Sequence, residues 1–277
     1  MDPGAMETDS ALIMPRVLPH TMHPTINRVS KEAAMTIEDI SDYKPGDYGK
    51  KRIKPSDWLN AQVNKWDSEK SSKARKKITG FAPCVCFSRK IGVGGLEIAD
   101  ILSKMIGSKV VDREILEHMA RDSDLARKTI EIFDERYPGK MSELSAMIFN
   151  EKSFITSDYL RLLAKSVIAL ASFEPSIFVG RGIHLVLPRE QVLAVRLICS
   201  DEYRVQRLAG IMKTTEAEAI KRLAVIDKEQ REFFKNVYQK KDASPYEFDL
   251  VINMDHIHEP ARAAKIVACA FEQKFKD

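Results

Sequence analysis

The stretch Pro83–Gly107, PCVCFSRKIGVGGLEIADILSKMIG, decides the fold. PCVCF is an apolar run of strand length. Glycines at 92, 94 and 95 follow it, and Ile98, Ile101, Leu102 and Met105 then recur at helical spacing. Strand, glycine bend and amphipathic helix in that order build a phosphate cradle, because backbone N–H groups converge at a helix N-terminus whose dipole favours an anion. A loop of the form G-x-x-x-x-G-K-[ST] adds a lysine for charge and a hydroxyl for Mg²⁺. With Gly94 as the last loop glycine, Arg89 takes the first-glycine position, Gly95 the lysine position and Leu96 the hydroxyl position. As a motif the loop is incomplete, and three glycines also suit a plain tight turn.

Outward from this stretch the punctuation is regular. KVVD reads as a second strand with a helix from about Arg113, and helical patterns continue through ARKTIEIFDER, SELSAMIFN and SDYLRLLAKSVIALASF. SIFVG and VLAVRLIC are apolar runs of strand length, followed by helices in SDEYRVQRLAGIM and TEAEAIKRLAVIDKEQREFF. Thr215 and Glu218 fit a capping box on the latter. FDLVIN is the last strand, and EPARAAKIVACAFEQKF the closing helix, with Pro260 in its first turn. Short apolar strands alternating with helices predict an α/β fold with a parallel sheet covered on both faces.

The chain has 277 residues, 44% of them hydrophobic and 30% charged, as expected of a soluble globular protein. Its net charge of +4 is uneven. Residues 44–77 hold eleven Lys or Arg against four Asp or Glu. Residues 1–77 therefore read as a basic, largely irregular N-terminal arm, and 78–277 as the folded domain. Within the arm, VSKEAAMTIEDI suits a short helix. A second helix starting after Ser56 would set Trp58, Leu59, Val63 and Trp66 roughly on one side. Cations at 65–77 raise the question of nucleic acid, but with no aromatic interleaved a solvated linker is the preferred reading. Cys84, Cys86, Cys199 and Cys269 show neither metal spacing nor disulfide density. No apolar run spans a membrane and no signal peptide is recognised, so a cytoplasmic protein is expected.

SRKIGVGGLEIA, VVDREIL, VGRG, VRLICSDEYRVQRL, IDKEQREFF and YEFDLVIN occur in this order, and together they resemble the cytidylate kinase-like family. The resemblance covers roughly residues 80–275. It implies a three-layer P-loop kinase fold with a helical acceptor region and a lid at about 227–246. The family's loop reads Ser-Arg-x-x-Gly-Ser-Gly-Gly, so an arginine near the start and glycine in place of lysine are usual for it. Val93 replaces its serine here, and Leu96 an arginine that many members carry.

On this reading Ser88, Arg89, Lys90, Gly92, Val93, Gly94, Gly95 and Leu96 hold ATP, with Arg89 or Lys90 supplying the missing charge. Glu97, one turn into the helix, is either an Mg²⁺ contact or a carboxylate suited to the dipole. Phosphoryl transfer needs positioning and charge neutralisation rather than a protein nucleophile, so arginines are the residues to seek. Arg181, a charge directly after a buried strand, is the leading acceptor-site candidate. The resemblance adds Asp112 for sugar or base and Arg113 for the acceptor phosphate, although Asp112 also suits a helix N-cap. It puts Arg231, with Arg204 and Lys228, in a lid clamp, where a solvated charged face is the alternative. The family's Gly-Arg is followed by an aspartate that helps read cytosine; here Gly182 follows.

Catalysis by Arg89, Arg181 and Arg231, using ATP and Mg²⁺ with CMP or dCMP as acceptor, is the expected function. The rivals are a nucleotide-binding regulator with little turnover and a nucleic-acid-associated protein acting through the arm. Oligomeric state is left open.

Overall fold

Consecutive residues of a strand face opposite sides of a sheet, so a strand buried on both faces is apolar throughout. Strand β1, Cys84–Arg89, is buried at all six positions. Its even-numbered Cys84 and Cys86 join one hydrophobic core and its odd-numbered Val85 and Phe87 another. The computed structural model describes residues 55–68, 82–121, 123–152, 155, 157–241 and 243–275. The other strands are β2 (Lys109–Val111), β3 (Ser176–Val179), β4 (Val192–Ile198) and β5 (Leu250–Asn253). All pair in parallel, in the order β2-β3-β1-β4-β5.

Helices cover both faces. On the odd-residue face lie α2 (Gly95–Ile106) and, near the chain's end, Pro260–Phe275, which pack against each other and bury Leu96, Ile98, Leu102, Ala264 and Val267. The larger core on the other face is built from α3 (Arg113–Arg121), α4 (Ser123–Arg136), α5 (Lys140–Glu151), α6 (Asp158–Phe173) and the short α7 (Ile183–Val186). Helices α8 (Asp201–Met212) and α9 (Glu216–Tyr238) pack together over a smaller core that includes Ile91 of the glycine bend. The short α10 (Met254–Ile257) leads into α11 (Pro260–Phe275). This is the three-layer P-loop kinase fold.

Local chemistry explains the boundaries. Thr215 and Glu218 form the expected capping box on α9, and Ser157 and Ser200 cap α6 and α8 through their hydroxyls. Burial pushes the Cys84 thiol up to about 12 and that of Cys86 well above its ordinary range, so both act as small apolar residues.

One further helix, α1 (Pro55–Ser68), comes from the segment read as arm. It packs on α3 and α4, with Val63 1% exposed in the larger core and Trp58 half-buried against it. The ammonium of Lys65 pairs with Glu174. The expected helix at VSKEAAMTIEDI, the basic run after residue 68, the 77/78 boundary and the side chains of Leu59 and Trp66 lie outside the described residues. Among the described residues no helix is long and apolar enough to cross a membrane.

Candidate active site

The chain leaves β1 for β2 on one side and later crosses to β4 on the other, so strand order reverses at β1, where open parallel sheets place ligands. Arg89, the last residue of β1, is 5% exposed, and its side chain runs across Gly95 at the N-terminus of α2. A Cβ on Gly95 would stand 3.1 Å from Arg89 Cγ. The guanidinium continues toward Gly180, whose Cβ would meet Arg89 Nη2 at 3.8 Å. The missing side chain at 95 makes room for the Arg89 stem.

Gly180, Arg181 and Gly182 follow β3, all with left-handed φ, at 95°, 54° and 69°. For arginine that conformation is uncommon. Arg181 pairs with Glu117, and Arg113 Nε donates to the same Glu117 oxygen at 2.6 Å. Burial first, then the neighbouring Arg113 and Arg89 cations, lower the Arg181 guanidinium to about 9, which leaves it charged at neutral pH. Its face lies 4.0 Å from the ring centroid of Phe233 on α9, a desolvated cation–π contact. Among the described residues its Nε has no hydrogen-bond partner.

These groups surround a cavity of about 330 Å³, whose lining includes Ser88, Arg89, Arg113, Arg121, Gly180, Arg181, Glu229 and Gln230. Four guanidiniums line it against one lining carboxylate, Glu229, while Glu117 behind the lining pairs with Arg113 and Arg181. Helix α9 forms its roof: Gln230 Nε2 donates to the Arg89 carbonyl at 2.8 Å, and the Tyr238 hydroxyl to the Arg181 carbonyl at 2.5 Å.

The other expected residues lie elsewhere. Asp112 Oδ1 accepts from the Ile115 amide at 3.0 Å, so it caps α3, and it does not line the cavity. Arg204 is 1% exposed and spends its donors internally: Nε on the Ile91 carbonyl at 2.7 Å, Nη1 on Asp201 and Asp227, Nη2 on Asp227 at 2.6 Å. Burial works against its charge, but Asp227 and then Asp201 outweigh burial and raise its affinity for the proton. Arg204 therefore anchors the bend to α9. Lys228 is 71% exposed and lies 4.0 Å from Glu232, a solvated pair. Lys90 and Arg231 line a second cavity beyond Gln230.

The bend itself is covered. Positions 92 and 94 face Arg204 and the Arg207 guanidinium, which a Cβ on either glycine would meet at 3.2 and 3.3 Å. Arg207 pairs with Glu97. Leu96 is fully buried and brings no hydroxyl to the first turn. Glu97, the expected Mg²⁺ contact, is engaged by Arg207, and that pair would have to part before the carboxylate could serve a Mg²⁺ carried by substrate phosphates.

Sequence reasoning passed over Glu117, Arg121, Arg207 as a loop contact, Gln230 and Phe233. Two had a readable signal, since Arg113, Glu117 and Arg121 recur at i, i+4 along one helix face.

A family model described as the cytidylate kinase-like family matches residues 84–256. No curated protein sequence is significantly similar to the chain. Among solved structures, an uncharacterized protein from Eubacterium ventriosum ATCC 27560 is 16% identical over 69% of this chain and 98% of its own, with a TM-score of 0.50. Shikimate kinase from Bacteroides thetaiotaomicron is 13% identical over 69% and 97%, with a TM-score of 0.34. Dephospho-CoA kinase from Campylobacter jejuni is 15% identical over 71% and 99%, with a TM-score of 0.32. At 16% identity the likeness to the Eubacterium protein concerns fold and says nothing of substrate.

Proposed function

The chain belongs to the cytidylate kinase-like family, and we propose that it transfers the γ-phosphoryl group of ATP to a nucleoside monophosphate, with CMP and dCMP as the first acceptors to test. The observation that supports this most is Arg89 laid over Gly95 and reaching the Gly180–Arg181 turn, which joins the loop's cation to an arginine-lined acceptor cavity. An acceptor phosphate is ionised at neutral pH and needs no general base. Its oxygen attacks the γ-phosphorus in line, the bond to the β–γ bridging oxygen breaks, and ADP leaves with a nucleoside diphosphate. Arg89 and Arg181 neutralise charge on the transferring group, Arg113 and Arg121 hold the acceptor phosphate, and Glu229 accepts from acceptor hydroxyls. Mg²⁺ accompanies the donor's phosphates and shields their charge; we assign it no dedicated ligand set in the protein.

Base discrimination is expected to be low. Gly182 presents no side chain to a base, and Tyr238 fills the space one would need. The test is ADP formation from ATP and Mg²⁺ with CMP, dCMP, UMP, AMP and GMP. Turnover with more than one acceptor, falling about 100-fold or more in Arg89→Ala and Arg181→Ala, is the expected result. Turnover unchanged in both variants would refute the assignment.

The covered bend favours a second reading. With Arg207 parked on Gly94 and tied to Glu97, ATP enters only by displacing that pair. A nucleotide-binding regulator with little turnover would show stoichiometric ATP binding without acceptor-dependent ADP release.

A further inference from the structure

Two guanidiniums repel each other, so a fold that brings them together needs a group of opposite sign to hold them there. In the arginine-lined cavity Glu117 of α3 is such a group. Arg113, Glu117 and Arg121 recur at every fourth position of that helix and share one of its faces. Glu117 Oε1 accepts from Arg113 Nε at 2.6 Å and also pairs with a terminal amino group of Arg181, which comes from the turn after β3. Its Oε2 lies 3.9 Å from Arg121, a looser and more solvated contact. One carboxylate thus reaches three of the four arginines that line the cavity, yet it does not line the cavity itself. The side chains of Arg181 and Glu117 are 12% and 16% exposed, so water and salt screen their pairing little.

We propose that Glu117 is a positioning residue for the acceptor: it holds Arg113 and Arg181 at a spacing from which both reach one phosphate, without touching that phosphate. The inference rests on the reading of this cavity as the acceptor site. Two opposed effects decide what the Glu117 charge does. A carboxylate beside an anion cavity repels the anion, so Coulomb forces alone would make its removal tighten binding. Without it, however, Arg113 and Arg181 push each other apart, and an arriving phosphate must gather and order two long side chains. That repulsion is poorly relieved by solvent. Arg181 lies against the Phe233 ring, and burial, then the Arg113 and Arg89 cations, already lower its guanidinium to about 9. Guanidinium forks also need orientation as well as charge to take phosphate oxygens. Preorganisation is therefore the larger effect, and loss of this negative charge weakens the binding of an anion.

Glu117→Gln keeps the shape and removes the charge, and Glu117→Asp keeps the charge on a shorter stem. Full-length wild type and both variants are titrated calorimetrically with CMP and with ATP at physiological salt, and CMP-dependent ADP formation is followed in parallel. Thermal unfolding verifies that the variants fold. In Glu117→Gln the dissociation constant for CMP is expected to rise about tenfold or more while that for ATP changes less than about twofold, and Glu117→Asp is expected to fall between wild type and Glu117→Gln. Should Glu117→Gln not fold, Glu117→Asp carries the test by the same split between the two nucleotides. Equal weakening of CMP and ATP would mark a general loosening of the fold and overturn the proposal. CMP binding that is unchanged or tightened, or that is not saturable in wild type, would overturn it too. The kinase reading is judged separately. The expected pattern of CMP binding without any ADP formation refutes phosphoryl transfer and supports the role of Glu117. Wild-type turnover with CMP affinity unchanged in Glu117→Gln refutes that role and leaves transfer standing.

Discussion

At Gly182 φ is +69°, and a Cβ there would stand 2.7 Å from Tyr238 Cε2, on a ring that is 3% exposed. Two costs combine in Gly182→Ala: the left-handed backbone, about 1–2 kcal/mol for a residue with a Cβ, and the overlap with a ring that has little room to retreat, about 1–3 kcal/mol. The variant is expected to lose about 2–5 kcal/mol of unfolding free energy in urea, as the sum of those terms. In a Tyr238→Ala background the overlap vanishes, and Gly182→Ala is expected to cost only about 1–2 kcal/mol. Additive losses would show that Tyr238 does not set the identity of residue 182. Gly95 is a second case of a side chain absent because a neighbour's is present, with Arg89 lying where a lysine stem would start. Such exchanges are invisible to a motif pattern, which scores each position alone and reads the pair as two losses.

Helix α9 is one continuous element, and its inner face ties together every part of the site. Asp227 holds Arg204, Gln230 holds the Arg89 carbonyl, Phe233 covers the Arg181 guanidinium and Tyr238 holds the Arg181 carbonyl. The segment read as a lid therefore starts within a helix already docked on the bend. The strongest of these ties is the Arg204–Asp227 pair, because both amino groups of a buried guanidinium end on one carboxylate. Asp227→Ala leaves Arg204 with Asp201 and the Ile91 carbonyl but strips the Nη2 partner, so it is expected to cost about 1.5–3 kcal/mol. Amide hydrogen exchange should show the loss as faster exchange across α9 and residues 90–95, because Arg204 also holds the Ile91 carbonyl. Unchanged exchange in the bend would mean that α9 does not support it. The helix itself was legible, from its capping box and its apolar spacing. Which charges of α8 and α9 are buried was not, since Arg204 and Lys228 look alike until the packed faces are known.

For the molecule as a whole, sequence legibility followed the range of the signal. Five strands and the helices around them were readable because period and caps are local properties, and the parallel sheet follows from their alternation. The proposed site's arginines at 89 and 181 carry a signal within one segment, whereas the contacts between distant segments around them do not: Arg207 on Gly94, Tyr238 on Gly182, Phe233 on Arg181. Helix α1 belongs to the same class. Its composition groups it with the basic arm, yet Val63 is 1% exposed within the larger core, against α4 and against α3, which carries Arg113 and Arg121 to the arginine-lined cavity. The Lys65–Glu174 pair is half-exposed and adds little, so apolar burial supplies most of the attachment. Val63→Ala removes two buried methyl groups and leaves a small cavity, which should cost about 1–2 kcal/mol. For a domain of this size that lowers Tm by about 3–6 °C. Deleting residues 1–68 should lower it further and expose apolar surface on α3 and α4 that binds a hydrophobic dye. An unaltered Tm in both variants would show that α1 is an appendage rather than a part of the core.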